Sequence, residues 1–582
     1  MPSILFDKQT CDWDSKEISL TQLVQDRLIP NGSTIYIGSC AATPDTTLQA
    51  IIDDVRLENL TILRLIPSGN YPHIQHKNLD QLRTASFYSF TKGGFFKPDH
   101  TTTTTSKLSV VTEGLEDYKP VSIAAIPRLL KETKLQIDVA LIKVTPPHKG
   151  FCSLGMGVDS TYDIVQYLAN HTNGNKKGLI IAEINANMPW TEGPTKIPVS
   201  DITYWLRPTA SGDVTMDGTP PNDEPLKLTQ ELWPAFITNQ FYARKILDRI
   251  GENVVDLIPD QATLRFGISP IVHSVFPFLR QRKDLGLHTD ILSQTLYQLH
   301  LEGIITNKYK TINTGRTVCS QAHAETYAMY DFLDRNPVIE FHPSSYVCNP
   351  QVLGRIDNLI VVVGALKVDV TGQVATDSIA HKFYGGVWSD DDSIRGAKFS
   401  NGGKPIVVLS SKSLQGRSNI VFALPPGTGV SITRADVEYV VTEYGTAYLY
   451  GKSIRERCLA LIEIAHPDFR QELLQDCKQY NYVSQNQPGS SFKSLYPGEF
   501  QCTHMTKPKE GSPRQVLVRP IKAIDEDNLR NFFHQLSDHS VYLRYFRKLR
   551  SMPQRILQKT TDLDYTRDMA IVVRAHGRYL HP

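Results

Sequence analysis

Val139-Ala140-Leu141-Ile142-Lys143-Val144 is an apolar run that ends at Pro146-Pro147. Apolar side chains at consecutive rather than alternate positions imply burial on both faces, the situation of a strand in a parallel sheet covered by helices. Thr34-Ile35-Tyr36-Ile37-Gly38, after the turn residues Asn31-Gly32, and Leu179-Ile180-Ile181-Ala182, ahead of Asn185, repeat the pattern. Helix-like stretches separate these runs, so the expected fold class is α/β. Leu359 to Val363, Ile406 to Leu409 and Val437 to Val441 read as strands of a second α/β unit. That unit begins near Leu226, after the polar, Pro-rich stretch from Ser211 to Pro225.

A chain of 582 residues exceeds what one core supports, and 41% hydrophobic with 21% charged residues describes folded protein. The division expected is 1–225 and 226–483 for the two α/β units, 484–513 for a linker rich in Ser, Gly, Pro, Gln and Lys, and 514–582 for a small third unit. In that unit Val516 to Pro520 reads as a strand, Asp525 to Leu536 as a helix opened by acids, and Ala570 to Val573 as another strand. A net charge of +2 offers no field for nucleic acid, so no such partner is expected. Met1 to Leu20 lacks the basic-then-apolar order of a secretory signal, and no window reaches the roughly 18 apolar residues of a membrane span. The eight cysteines include no C-x-x-C pair, which suits reduced thiols in a cytoplasmic protein and no zinc site.

Three segments carry candidate chemistry. Leu264 to Ile271 is a strand-like run ending at Gly267 and followed by a helix-like stretch to Leu279. Such a turn presents backbone N–H groups to a phosphate or an oxyanion, or is an ordinary strand-to-helix connection. Asp290, after His288 and before the amphipathic stretch Ile291 to Leu301, is either a helix N-cap or a carboxylate that attacks a thioester carbonyl. The glycines Gly385-Gly386 and Gly402-Gly403, with Lys404, either bring backbone and a cation close to a ligand or shape loops at sheet ends. The run Asp390-Asp391-Asp392 lacks the spacing of a calcium loop and reads as a solvated loop, so no metal is expected.

Ordered along the chain, Thr34 to Gly38, Ala140 to Pro147, Gly150 to Gly155, Ala182 to Asn185 and Met188-Pro189 are followed by Val368-Asp369-Val370-Thr371-Gly372-Gln373-Val374. Val441-Thr442-Glu443-Tyr444-Gly445 and Ile464-Ala465-His466-Pro467-Asp468-Phe469-Arg470 complete the series. This series resembles the acetyl-CoA hydrolase and CoA-transferase family, which includes 4-hydroxybutyrate and succinate:acetate CoA-transferases. The resemblance implies two related α/β domains with the active site between them, acyl-CoA and small carboxylates as substrates, no tightly bound cofactor, and a homo-oligomer. In such enzymes a glutamate attacks acyl-CoA and carries CoA to a second acid as a glutamyl thioester, and Asp290 occupies the matching position. The family's glycine-rich turn falls on Gly267, Ile268, Ser269, Pro270 and Ile271. Gly386 and Lys404 match further CoA-contacting positions, with Gly385, Gly402 and Gly403 shaping the loops around them.

Four departures bear on the reaction. Asp290 replaces the glutamate, Ser269 replaces the second glycine of Gly-Ile-Gly, Val363 or Gly364 stands for an asparagine, and Lys367 stands for an acid. Asp290 is one methylene short, and misplacement by about 1 Å can cost roughly 10²-fold in rate. Hydrolysis, with Asp290 orienting a water as general base, is therefore expected to outweigh transfer. The rival expectation is a catalytically impaired acyl-CoA-binding relative. Val518-Arg519-Pro520, Ser540-Val541-Tyr542, Arg544-Tyr545-Phe546 and Met569 to Val572 resemble the start of a GNAT N-acetyltransferase domain. The sequence ends at Pro582, ahead of that family's Gly-rich pyrophosphate loop, so an incomplete α+β unit without acetyltransferase activity is expected.

Overall fold

A computed structural model of the chain describes residues 13–65, 82–88, 116–207, 244–485 and most of 500–575, single positions and pairs aside. The expected start of the second unit near Leu226 lies outside the described residues. Strands β1 (Thr34–Ile37), β2 (Leu60–Arg64), β3 (Leu82–Ser86), β4 (Asp117–Tyr118), β5 (Val139–Val144), β6 (Leu179–Ile184) and β7 (Tyr204–Leu206) form one seven-stranded sheet in the order β7-β6-β5-β1-β2-β3-β4. Every pairing in it is parallel. All six residues of β5 are buried, as a strand at the sheet centre requires, with Lys143 among them paired to Glu183 at 3.2 Å.

The second sheet has six strands. They are β8 (Thr263–Phe266), β9 (Gly286–Leu287), β12 (Leu359–Gly364), β13 (Lys404–Val408), β14 (Tyr439–Thr442) and β15 (Gly445–Tyr448), with a separate parallel pair β10 (Ile291–Ser293) and β11 (Gln321–His323). The order β9-β8-β12-β13-β14-β15 is parallel up to β14, and β15 returns antiparallel through Gly445, whose φ of +136° suits only glycine. The predicted strands around 359, 406 and 437 are therefore all present.

Residues around the first sheet meet residues of the second unit at two places. On one side the Cys40 thiol donates to Gln321 Oε1 at 3.0 Å, and Gln321 Nε2 donates to Asp159 Oδ2 at 2.9 Å. Asp159, fully buried, also accepts from the backbone N–H and hydroxyl of Thr161, both at 2.8 Å. On the other side Ile123 N–H donates to Trp388 O and Val387 N–H to Tyr118 Oη, both at 3.0 Å, and the Ser122 hydroxyl donates to Asp392.

The third unit is a three-stranded antiparallel sheet, β16 (Cys502–Met505), β17 (Gln515–Pro520) and β18 (Ile571–Ala575), with its own small core of Phe533, Val541, Met552 and Leu557. Strand β16 lies in the stretch expected to be linker. Its four exposed residues carry no apolar signal, and pairing with β17 is what orders them. The seven described cysteines are free, and among the described residues no helix is long and apolar enough to cross a membrane.

Replacing Asp159 with alanine strands the Gln321 amide and two Thr161 donors in the interior, each orphan costing about 1–3 kcal/mol. The expected loss is about 3 kcal/mol in urea unfolding, and an Asp159→Asn variant, which keeps one acceptor, should lose less.

Candidate functional site

The segment after β9 threads between strands. His288 bridges to Val318, Thr289 N–H donates to Val318 O at 3.0 Å, and the Asp290 carbonyl accepts from Ser320 and Gln321 N–H at 3.0 and 2.9 Å. The stretch expected to be one amphipathic helix is strand β10 followed by α1 (Gln294–Leu301), whose N-cap is Ser293, its hydroxyl accepting from Leu296 N–H at 3.5 Å. Asp290 is therefore not a helix cap. His288 Nε2–H donates to Val347 O, 3.2 Å away, and burial followed by the Lys310 and Arg265 charges holds its ring well below the ordinary histidine range.

Asp290 is 1% exposed, and its carboxylate receives four hydrogen bonds. Oδ2 accepts from Arg265 Nη2 at 2.8 Å, Ser389 Oγ at 3.0 Å and Trp388 Nε1 at 3.1 Å; Oδ1 accepts from Cys348 Sγ at 2.6 Å. An ionised carboxylate has about four lone-pair sites, two on each oxygen, so Oδ2 is fully engaged and Oδ1 keeps one site unbonded. Arg265 is as deeply buried, and its other donors go to Ser393 Oγ (2.6 Å), Val347 O (3.2 Å) and Ser389 Oγ (3.0 Å). Burial opposes the Arg265 charge, but Asp290 and its neighbours raise its pKa on balance. Burial and then Asp290 push the Cys348 thiol well up, so it stays protonated and donates. Trp388, buried and edge-on to Tyr88 at 5.9 Å, has a φ of +51°. That conformation favours glycine and costs a large side chain about 1–3 kcal/mol.

The Gly267 turn lies at the carboxyl ends of β8 and β12, where open α/β sheets bind ligands. Gly267 N–H donates to Val362 O at 2.9 Å, and Val272 and His273 N–H close the first turn of the 3-10 helix Val272–Gln281. Among the described residues the N–H groups of Ile268 and Ser269 meet no protein acceptor. Burial lowers the His273 pKa to about 4, so that ring is neutral at pH 7. Two of the sequence departures meet in space: a Cβ on Gly364 would lie 2.4 Å from Ser269 Oγ. The serine fills the volume that a side chain at 364 would need.

The other candidate residues divide. Gly385 and Gly386 are at the site's wall, but what approaches them is protein: a Cβ on Gly386 would lie 2.6 Å from Phe87 O, and one on Gly385 3.1 Å from Tyr88 Oη. Gly402, Gly403 and Lys404 stand at the amino end of β13, roughly 13 Å of strand from the carboxyl-end turn at about 3.3 Å per residue. There Lys404 Nζ donates to Leu257 O at 2.7 Å, and Gly402, with φ +72°, packs on Asn358. They are not brought together with Asp290, because parallel strands put residues four positions apart at opposite sheet edges. Asp390-Asp391-Asp392 is not a solvated loop but the first turn of helix α2 (Asp390–Phe399), where acids complement the helix dipole. Among the described residues no group of three His, Cys, Asp or Glu side chains could hold a metal. Sequence reasoning missed Arg265, Cys348, Trp388 and Ser389. Only Arg265 left a trace, as a charge between Leu264 and Phe266 in a buried strand.

The solved 4-hydroxybutyrate CoA-transferase from Porphyromonas gingivalis superposes with a TM-score of 0.62 at 28% identity, covering 80% of this chain and 98% of that one, so the fold is of the CoA-transferase type. Residues 6–208 match the acetyl-CoA hydrolase/transferase N-terminal domain and 326–477 the corresponding C-terminal domain. The 4-hydroxybutyrate coenzyme A transferase of Clostridium kluyveri is 38% identical over 63% of this chain and 79% of its own length. The succinyl-CoA:acetate/propanoyl-CoA:succinate CoA transferase of Fasciola hepatica is 35% identical over 76% and 84%. The chain belongs to the acetyl-CoA hydrolase/transferase family and is an enzyme of that class.

A Gly364→Ala variant would force Ser269 off its position, and overpacking of this kind costs about 1–3 kcal/mol. Adding Ser269→Gly should restore most of the loss, read as non-additivity in a double-mutant cycle of unfolding free energies.

Proposed function

We propose that the chain acts on short acyl-CoA thioesters, acetyl-CoA first, and that hydrolysis outruns transfer of CoA to a second carboxylate. The buried Asp290 carboxylate, held by four hydrogen bonds, carries this reading. To attack a thioester, Asp290 must turn away from donors that hold both of its oxygens, and it starts one methylene short of the family's glutamate. It serves better as a fixed charge that organises the site while water attacks the carbonyl. Support for the oxyanion comes from the unsatisfied N–H groups of Ile268 and Ser269 in the Gly267 to Ile271 turn. CoA enters as substrate rather than as a resident cofactor, and a cytoplasmic homo-oligomer accords with the family. The antiparallel sheet β16-β17-β18 and its helices are compatible with the beginning of a GNAT-like unit.

One observation favours a second reading, acyl-CoA binding without turnover: the Trp388 indole covers Asp290 and donates to it. Incubation with acetyl-CoA, with and without a large excess of a second carboxylate, separates the two. Release of free CoA faster than acyl exchange, with no hydroxylamine- or borohydride-trapped label on Asp290, is expected. Exchange faster than release overturns hydrolysis, and CoA binding with neither reaction establishes the second reading. Trp388→Gly removes both the cover and one donor, so the ratio of exchange to hydrolysis should rise by roughly tenfold, part of the 10²-fold placement loss.

A further inference from the structure

The thioester hydrolysis proposed above needs a group to take the proton of the attacking water, and Asp290 is buried with both of its oxygens held by protein donors. A base must reach the cleft, carry an unoccupied oxygen and lie beside the oxyanion donors. Asp390 meets these conditions. It is the first residue of α2, half-buried among the half-buried Gly267, Ile268, Ser269 and Gly364, so the cleft reaches it. Its Oδ1 lies 3.0 Å from where a Cβ on Gly267 would stand, directly against the turn. Among the described residues no donor bonds its carboxyl. Of its neighbours in the acidic run, Asp391 pairs through Oδ2 with Arg395 at 3.3 Å, and Asp392 accepts from Ser122. The absence of a side chain at Gly267 is what lets this carboxyl and the turn's N–H groups share one space.

We propose that Asp390 is the general base and acid of the hydrolytic reaction, an inference that rests on the hydrolytic reading. The water oxygen forms a bond to the thioester carbonyl carbon while one water proton passes to Asp390. The carbonyl oxygen takes the charge opposite the Ile268 and Ser269 N–H groups. Collapse of the adduct breaks the C–S bond, the electron pair leaves with the CoA sulfur, and the proton on Asp390 transfers to that sulfur. The products are the free acid and CoA thiol, with Asp390 returned to its starting state.

The surroundings of Asp390 set the pH at which it works. Burial, followed by the negative charges of Asp391 and Asp290, pushes its pKa up to about 8, with Arg265 pulling the other way and Asp377 adding to the rise. Tyr88, whose own pKa lies well above the ordinary tyrosine range, is neutral beside it. A base with a raised pKa is protonated and inactive below that value and active above it. Hydrolysis by the full-length protein should therefore rise with pH through about 8 and level off.

The test compares acetyl-CoA hydrolysis across pH for the wild type and for Asp390→Asn, Asp390→Glu and Asp391→Asn, with thermal unfolding and CoA binding recorded for each. Asp390→Asn should lose roughly 10²- to 10⁴-fold in kcat, the worth of a positioned proton-transfer group, while still binding CoA. Asp390→Glu should recover part of the rate. Asp391→Asn removes one of the charges that raise Asp390, so its plateau should stay near wild type while its inflection moves to lower pH. A wild type that hydrolyses acetyl-CoA with Asp390→Asn unimpaired, or an inflection unmoved by Asp391→Asn, overturns the role of Asp390 alone. A wild type with no hydrolysis overturns the hydrolytic reading itself, and the role of Asp390 with it.

Discussion

Arg265 and Asp290 are both withdrawn from water, and neither charge is tolerable there without the other. Taking an ion into the interior costs several kcal/mol, recovered only when the partner's geometry is good and the remaining hydrogen-bonding capacity is used. Here it is used almost completely, by Cys348, Trp388, Ser389, Ser393 and the Val347 carbonyl. These groups come from four separated parts of the chain, so the pair holds β8, the segment after β9, the turn at 347–348 and the entry to α2 in one arrangement. The position of the Gly267 turn relative to α2 follows from that arrangement, and with it the place of Asp390.

A carboxylate fixed so thoroughly differs chemically from one poised to react. A nucleophile keeps an oxygen directed at its target, whereas an electrostatic anchor has both oxygens held by donors. Both oxygens of Asp290 are held, by Arg265, Ser389 and Trp388 on one and Cys348 on the other. The left-handed backbone of Trp388 points the same way, because a conformation that glycine adopts freely is held by a large ring whose indole N–H serves Asp290. Ser269 and Gly364 belong together for a similar reason, the serine side chain filling the volume that the glycine leaves open.

The parallel sheets were legible in the sequence because consecutive apolar residues such as Val139 to Val144 have no other stable placement, and the strand-turn-helix around Gly267 was legible for its glycine and its change of periodicity. Strand β16 was not, since an exposed strand held only by pairing leaves no pattern in its own side chains. The same limit applied at the site. Asp290 could be singled out, but Cys348 and Trp388 lie 58 and 98 positions away from it in sequence, and no local spacing predicts that meeting. Lys404 and its glycines lie at the other end of their strand from Asp290, and closeness to a glycine loop in sequence does not say which end of the sheet the loop occupies.

The first unit meets the second at two separate places, through Cys40, Gln321 and Asp159 at one and through Ile123, Val387 and Ser122 at the other. Two points of attachment resist a rotation that one alone would allow, so parting the units at either place strains the hydrogen bonds at the other.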